Sequence, residues 1–161
     1  MRRAVGGRYP FRRRRRQVTV VVDANIAVKW VAEELDSAEA VSLYRDWTER
    51  AELLIAPPIF RPEVTNVLHQ KIRRGELGLG TAIEALDAIT DAVSIHEPAG
   101  LYTDALSIAQ AIDVGATYDP LYLALAETEQ CDLWTADKRF VDSVGYRSSR
   151  VRWLGELSMK E

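Results

Sequence analysis

The run Val18-Thr19-Val20-Val21-Val22 is made of β-branched residues without a break, and it leads directly into Asp23-Ala24-Asn25. A run that does not alternate between apolar and polar suits a strand buried on both faces, as in the middle of a parallel sheet. Such sheets need helices on both sides, so this segment restricts the chain to an α/β layered fold. In an open α/β sheet, ligands bind in the crevice beyond the carboxyl ends of the strands. Asp23 and Asn25 stand at that point. Either residue can instead cap the helix that Ile26 to Val31 begins, and the two readings stay open unless other acids reach the same edge.

The rest of the chain alternates in the same sense. Asp36 and Glu39 form a capping-box pattern ahead of Ala40, Val41, Tyr44 and Trp47, which recur at helical spacing as far as about Arg50. Leu53 to Ala56 reads as a second strand stopped by Pro57 and Pro58. Val64, Val67, Leu68 and Ile72 form the apolar stripe of a helix that Gly75 ends, with Glu63 in its first turns, where a carboxylate also favours the helix dipole. Thr81 and Glu84 predict another capped helix, and Val93 to His96 a short edge strand. Leu101 to Ile112 is amphipathic, with Gly115 as its predicted C-cap. Asp119 reads as an N-cap with Pro120 at the first helical position of an almost wholly apolar helix. Cys131 to Thr135 predicts a buried strand ending in Thr135-Ala136-Asp137, and Val151 to Leu154 a last one. Together these elements predict a three-layer α/β/α sandwich with a central, mostly parallel sheet.

With 161 residues, 47% of them hydrophobic, the chain has enough interior for one core, placed at residues 18–158. Cys131 is the only cysteine, so disulfide and zinc-ribbon chemistry drop out and a reducing compartment is expected. His69 and His96 are the only imidazoles, so any metal is expected to be held by oxygen ligands, which favours magnesium or manganese. Eight arginines and no acid fall within residues 1–16, leaving 13 basic and 24 acidic residues in the remainder. Residues 1–17 thus read as a basic, disordered N-terminal extension, either an arm for RNA phosphates or a segment with no role. The apolar run after it is too short for a secretory signal, and no 18-residue apolar segment follows, so a cytoplasmic protein without membrane spans is expected.

In a right-handed parallel sheet Asp23, Glu63, Asp119 and Asp137 can all gather at one carboxyl edge. Four carboxylates there repel, and the arrangement makes physical sense mainly around a divalent cation. The motifs Val20-Val21-Val22-Asp23-Ala24-Asn25, Pro62-Glu63-Val64-Thr65-Asn66-Val67-Leu68, Tyr118-Asp119-Pro120-Leu121-Tyr122-Leu123-Ala124 and Leu133-Trp134-Thr135-Ala136-Asp137-Lys138-Arg139-Phe140 occur in that order. In this the chain resembles a PIN-domain ribonuclease, and more narrowly the VapC toxins of type II toxin-antitoxin pairs, over about residues 18–156. The resemblance implies a Mg2+- or Mn2+-dependent endoribonuclease in which Asp23, Asp119 and Asp137 are metal ligands. Glu63 is then a ligand or orients the attacking water, and Asn25 and Thr135 support the site. Many relatives carry a small residue where this chain has Pro120, which a first helical turn tolerates.

Lys29, Arg61, Arg73, Arg74, Lys138 and Arg139 flank the motifs and are the candidate phosphate contacts, with Trp30 or Tyr118 as a stacking surface. The acidic body argues for a narrow substrate fitted by shape, such as a tRNA or ribosomal RNA loop. The resemblance further implies a homodimer covered by a VapB-like antitoxin that places a basic residue among the acids and hides apolar surface around Tyr44, Trp47 and Val67. A phosphatase of the haloacid-dehalogenase type needs a second acid where Asn25 stands, and a receiver domain needs adjacent acids after its first strand. The remaining rival is a catalytically inactive PIN-like module that binds RNA or a partner.

Overall fold

The structure, a computed structural model, describes residues 18–159. The predicted basic extension at residues 1–17 therefore lies outside the described residues. Five strands form one sheet: β1 (Thr19–Val22), β2 (Leu53–Ala56), β3 (Ser94–Ile95), β4 (Asp132–Thr135) and β5 (Val151–Trp153). Every pairing is parallel and the order is β3-β2-β1-β4-β5, so β1 is central, as its unbroken β-branched run requires. The mostly parallel sheet expected from sequence is wholly parallel.

Between the strands lie α1 (Ala24–Lys29), α2 (Ser37–Glu49), α3 (Phe60–Arg73), α4 (Leu79–Ala92), α5 (Leu101–Ile112), α6 (Tyr118–Glu129), α7 (Lys138–Val144) and, last, α8 (Gly155–Ser158). The chain runs outward from β1 to β3, then returns to β4 on the other side of β1. Right-handed crossovers consequently put α1–α4 on one face of the sheet and α5–α7 on the other. The packing agrees: α1 packs on α2 and α3, α3 on α4, and α5 on α6. Val21, Val22, Ile55 and Leu133 are fully buried between these layers. Helix α6, expected to be covered on most sides, buries every residue from Pro120 to Ala126. Among the described residues no helix is long and apolar enough to cross a membrane.

Helix α2 begins after Asp36 as expected, but its cap and other helix ends differ from expectation. Asp36 takes a left-handed backbone and makes no cap bond. Its carboxylate and that of Glu39 instead accept from the Ser158 hydroxyl, each at 2.9 Å. Helix α4 begins at Leu79 after Gly78, so Thr81 is a first-turn residue and not a cap. Asp113, not Gly115, adopts the left-handed conformation that ends α5. Trp47 is buried and meets the Trp134 ring edge-on at 6.2 Å, so it belongs to the core and not to an exposed apolar face. Tyr44 packs against Trp30 with ring centroids 4.6 Å apart.

Candidate active site

The order of the strands reverses between β1 and β4, and that switch point is where a parallel sheet opens a crevice at its carboxyl edge. Val22 pairs with Trp134, and the Asp23 amide continues the ladder by donating to the Trp134 carbonyl at 3.2 Å. One step further, Asp23 lies opposite Thr135, whose hydroxyl donates to Asp23 Oδ2. The other oxygen, Oδ1, accepts from the Ile26 amide at 2.8 Å. Both readings of Asp23 therefore hold at once: it caps α1 and it stands in the crevice. The same Thr135 hydroxyl oxygen accepts from the Asp137 amide at 3.0 Å, which joins the two acids through one side chain. Asp137 in turn caps α7, with Oδ1 accepting from the amides of Arg139 at 2.8 Å and Phe140 at 3.1 Å.

Glu63 and Asp119 come from opposite layers. Glu63 sits in the first turn of α3, just after Pro62, where a missing N–H costs nothing. Asp119 was expected to cap its helix, but α6 starts two residues earlier, at Tyr118, with Thr117 as N-cap. Asp119 lies inside the first turn, so capping does not account for its carboxylate.

The four acids interact electrostatically. Burial pushes Asp23 up to about 6, helped by the charges of Asp119 and Glu63 and opposed by its bonds to Thr135 and Ile26. Glu63 is raised by burial and by Asp119, against the hydrogen bond it receives from Tyr122. Asp119 is raised by burial and by Asp137. Among the described residues no Lys, Arg or His forms an ion pair with any of the four. The edge is thus a partly dehydrated pocket of like charge in which, among the described residues, none of the four acids is ion-paired.

Beside it opens a cleft of about 480 Å3 lined by Asn25, Lys29, Glu34, Asp137, Lys138 and Arg139. Asn25 is exposed at this mouth. Of the six candidate phosphate contacts, Lys29, Lys138 and Arg139 are brought to the acids. Lys29 is tied to Glu34 at 3.1 Å and to the Leu35 carbonyl at 2.7 Å, and Lys138 pairs with Asp142 while lying 5.3 Å from the Trp153 ring centre. Arg61 is exposed in the first turn of α3. Arg73 and Arg74 are at the far end of that helix, about 15 Å along its axis from Glu63, so the structure does not bring them to the site. Trp30 is half-buried against Tyr44, while Tyr118 is exposed at the start of α6.

A scan against protein-family models matches residues 20–144 to the model described as PIN domain. The chain belongs to the PIN domain family. PIN domains are generally nucleases, typically use divalent metal ions, and suggest RNA binding. The crystal structure of PAE2754 from Pyrobaculum aerophilum has a PIN-like fold and resembles this chain with a TM-score of 0.66. The match covers 89% of this chain and 96% of that one at 19% identity, a likeness of fold. No curated protein matches the sequence.

The PIN donor set suits a hard divalent cation in its chemistry, since it consists of carboxylate oxygens whose mutual repulsion no basic residue relieves. As the side chains stand, no three His, Cys, Asp or Glu residues among those described converge tightly enough to enclose an ion by themselves. Magnesium retains several waters and takes only one or two direct carboxylates, so this looser grouping fits it. Two participants escaped the sequence pattern. Tyr122, which reads as one more apolar residue of α6, is buried and donates its hydroxyl to Glu63. Lys71, near the end of α3, is buried and paired with Glu34 and Glu76. Only helical spacing from Asp119 hinted at Tyr122.

Proposed function

We propose that the chain is a Mg2+- or Mn2+-dependent endoribonuclease of the VapC type, acting in the cytoplasm as a toxin restrained by a VapB-like antitoxin. What supports this reading is the electrostatic influence that Asp23, Glu63, Asp119 and Asp137 exert on one another about the β1/β4 switch point, with none of the four in an ion pair among the described residues. In this reading residues 18–158 are the catalytic unit and the basic residues 1–17 an extension outside it. Asp23, Asp119 and Asp137 hold the cation directly or through water, and Glu63 is a further ligand or orients the attacking water. When bound, the cation supplies a water acidified toward neutrality and a clamp on the scissile phosphate. Thr135 holds Asp23 and Asp137 in register, and Asn25 supports the mouth.

In this reading Lys29, Lys138 and Arg139 on the rim take the flanking phosphates, with Arg61 further out. The excess of acid elsewhere disfavours broad, salt-driven binding and supports a structured tRNA or ribosomal RNA loop as substrate. A basic side chain from the antitoxin, entering the four-acid pocket, would compete with the cation. A homodimer is part of the same reading.

Incubation of the purified protein with total RNA tests it, with Mg2+, with Mn2+ and with chelator, beside Asp119→Asn. Discrete fragments with 5′-phosphate ends that need metal and vanish in Asp119→Asn are expected. If metal alters neither RNA cleavage nor the melting temperature, the site holds no working cation and an inactive binding module is the correct reading.

A further inference from the structure

Asp23 and Asp137 take their orientation from amides at helix starts and from Thr135. Glu63 is held differently. It stands in the fourth position of α3, beyond the amides that a cap engages, and the hydrogen bond to its Oε2 comes from the Tyr122 hydroxyl on α6, across the sheet. Tyr122 is three residues after Asp119, so both side chains share a face of α6. It is only 2% exposed, and the Ala24 amide at the start of α1 is directed at the same phenolic oxygen. The hydroxyl therefore uses its one proton on Glu63, and its burial leaves it no solvent to turn to. A buried tyrosine needs some partner for its hydroxyl. Here that partner is an acid already repelled by Asp119, and the donor touches the elements that carry Asp23, Glu63 and Asp119 together.

We propose that Tyr122 is a positioning residue of the four-acid cleft: its buried hydroxyl, by donating to Glu63 Oε2, fixes that carboxylate and leaves Oε1 to serve a divalent cation or its water. The inference rests on the metal-nuclease reading above. Groups that orient metal ligands in this way are worth about 10- to 100-fold in affinity or activity.

The test uses the full chain and Mn2+ alone, titrated by electron paramagnetic resonance of the free ion, followed by RNA cleavage kinetics. Tyr122→Phe removes one oxygen and no ring volume. It is expected to keep the wild-type circular dichroism spectrum, to weaken Mn2+ binding about tenfold or more, and to lower kcat with KM for RNA within about twofold. In a Glu63→Gln background the same substitution is expected to change Mn2+ affinity less than about twofold, because the two side chains act as one unit. Wild-type Mn2+ affinity in Tyr122→Phe, or an undiminished effect in the Glu63→Gln background, overturns the proposal. Should Tyr122→Phe not fold, 3-fluorotyrosine placed at Tyr122 alone keeps the ring and the bond to Glu63 but makes the phenol a stronger donor. A changed Mn2+ affinity there supports the proposal, and wild-type affinity overturns it. A wild-type protein that neither binds Mn2+ nor cleaves RNA refutes the metal-nuclease reading and this inference with it. A wild type that does both beside an unaltered Tyr122→Phe refutes this inference alone.

Discussion

Asp23→Asn is expected to make the metal-free protein more stable at neutral pH. The Asp23 carboxyl is only 6% exposed and is raised from its ordinary 3.8 to about 6, chiefly by burial. A group whose affinity for protons rises on folding makes the folded state bind more protons than the unfolded one, so stability falls as pH increases through the window between those two values. Above about 6 the side chain is ionised in both states, and the folded state bears the whole penalty. A rise of about two in pKa corresponds to about 3 kcal/mol. Asparagine removes the charge and keeps an oxygen for the Ile26 amide, and it caps helices as well as aspartate does. Its amide hydrogens must then use the Thr135 hydroxyl as an acceptor, which takes back part of the gain. A net stabilisation of about 1 to 3 kcal/mol at pH 7.5 follows, or roughly 3 to 10 °C in Tm for a chain of this length. Calorimetry in chelator across pH 4 to 8 reads it, and the two proteins should converge toward pH 4. An Asp23→Asn protein that melts below wild type at pH 7.5, or a difference independent of pH, refutes the view that Asp23 is a dehydrated, uncompensated charge.

Thr135→Val deletes the donor to Asp23 and the acceptor for the Asp137 amide in one substitution of nearly equal volume, which is expected to cost about 1 to 3 kcal/mol by thermal unfolding. RNA cleavage should fall with it, and a variant as stable as wild type would mean that the hydroxyl satisfies neither acid. Glu34→Gln leaves the buried Lys71 ammonium with only Glu76 as a charged partner and takes the ion pair from Lys29, which keeps its bond to the Leu35 carbonyl. Loss of stability between pH 5 and 10 is expected from urea unfolding. Glu34 is held below its usual range by Lys71 and Lys29, whereas Lys71 is raised by Glu34 and Glu76, so the network is charged throughout that interval.

The inner strands β1 and β2 could be read in the sequence because each is a short apolar or β-branched run ended by an acid or a proline pair, and burial on both faces leaves such runs no other use. Helix α5 could be read to the residue for a related reason: its apolar stripe is complete from Leu101 to Ile112. The acids at strand ends followed from the same logic, since parallel strands deliver their carboxyl ends to one edge. The helix starts at Thr81 and Asp119, and the cap bond at Asp36, differ from the sequence reading because a short polar side chain ahead of an apolar stripe looks the same whether it caps or not. What decides between those outcomes is a distant partner, such as Ser158 for Asp36. Tyr122 and Lys71 were hidden for one common reason. Period and propensity report how a residue faces the core, but not which polar group from another layer it meets there.

The features that make this edge costly to fold are the same ones that suit it to a cation. Burial raises Asp23, Glu63 and Asp119 by disfavouring their charged forms, and each charge adds to the others. A divalent ion entering there meets little competing water and relieves repulsion on several groups at once, so its binding to the folded chain alone stabilises that state by mass action. Metal affinity and folding stability are therefore coupled through the same side chains. Substitutions that neutralise the cluster should raise the metal-free melting temperature and abolish its response to Mn2+. A structural acid held by a cap alone would respond in neither way.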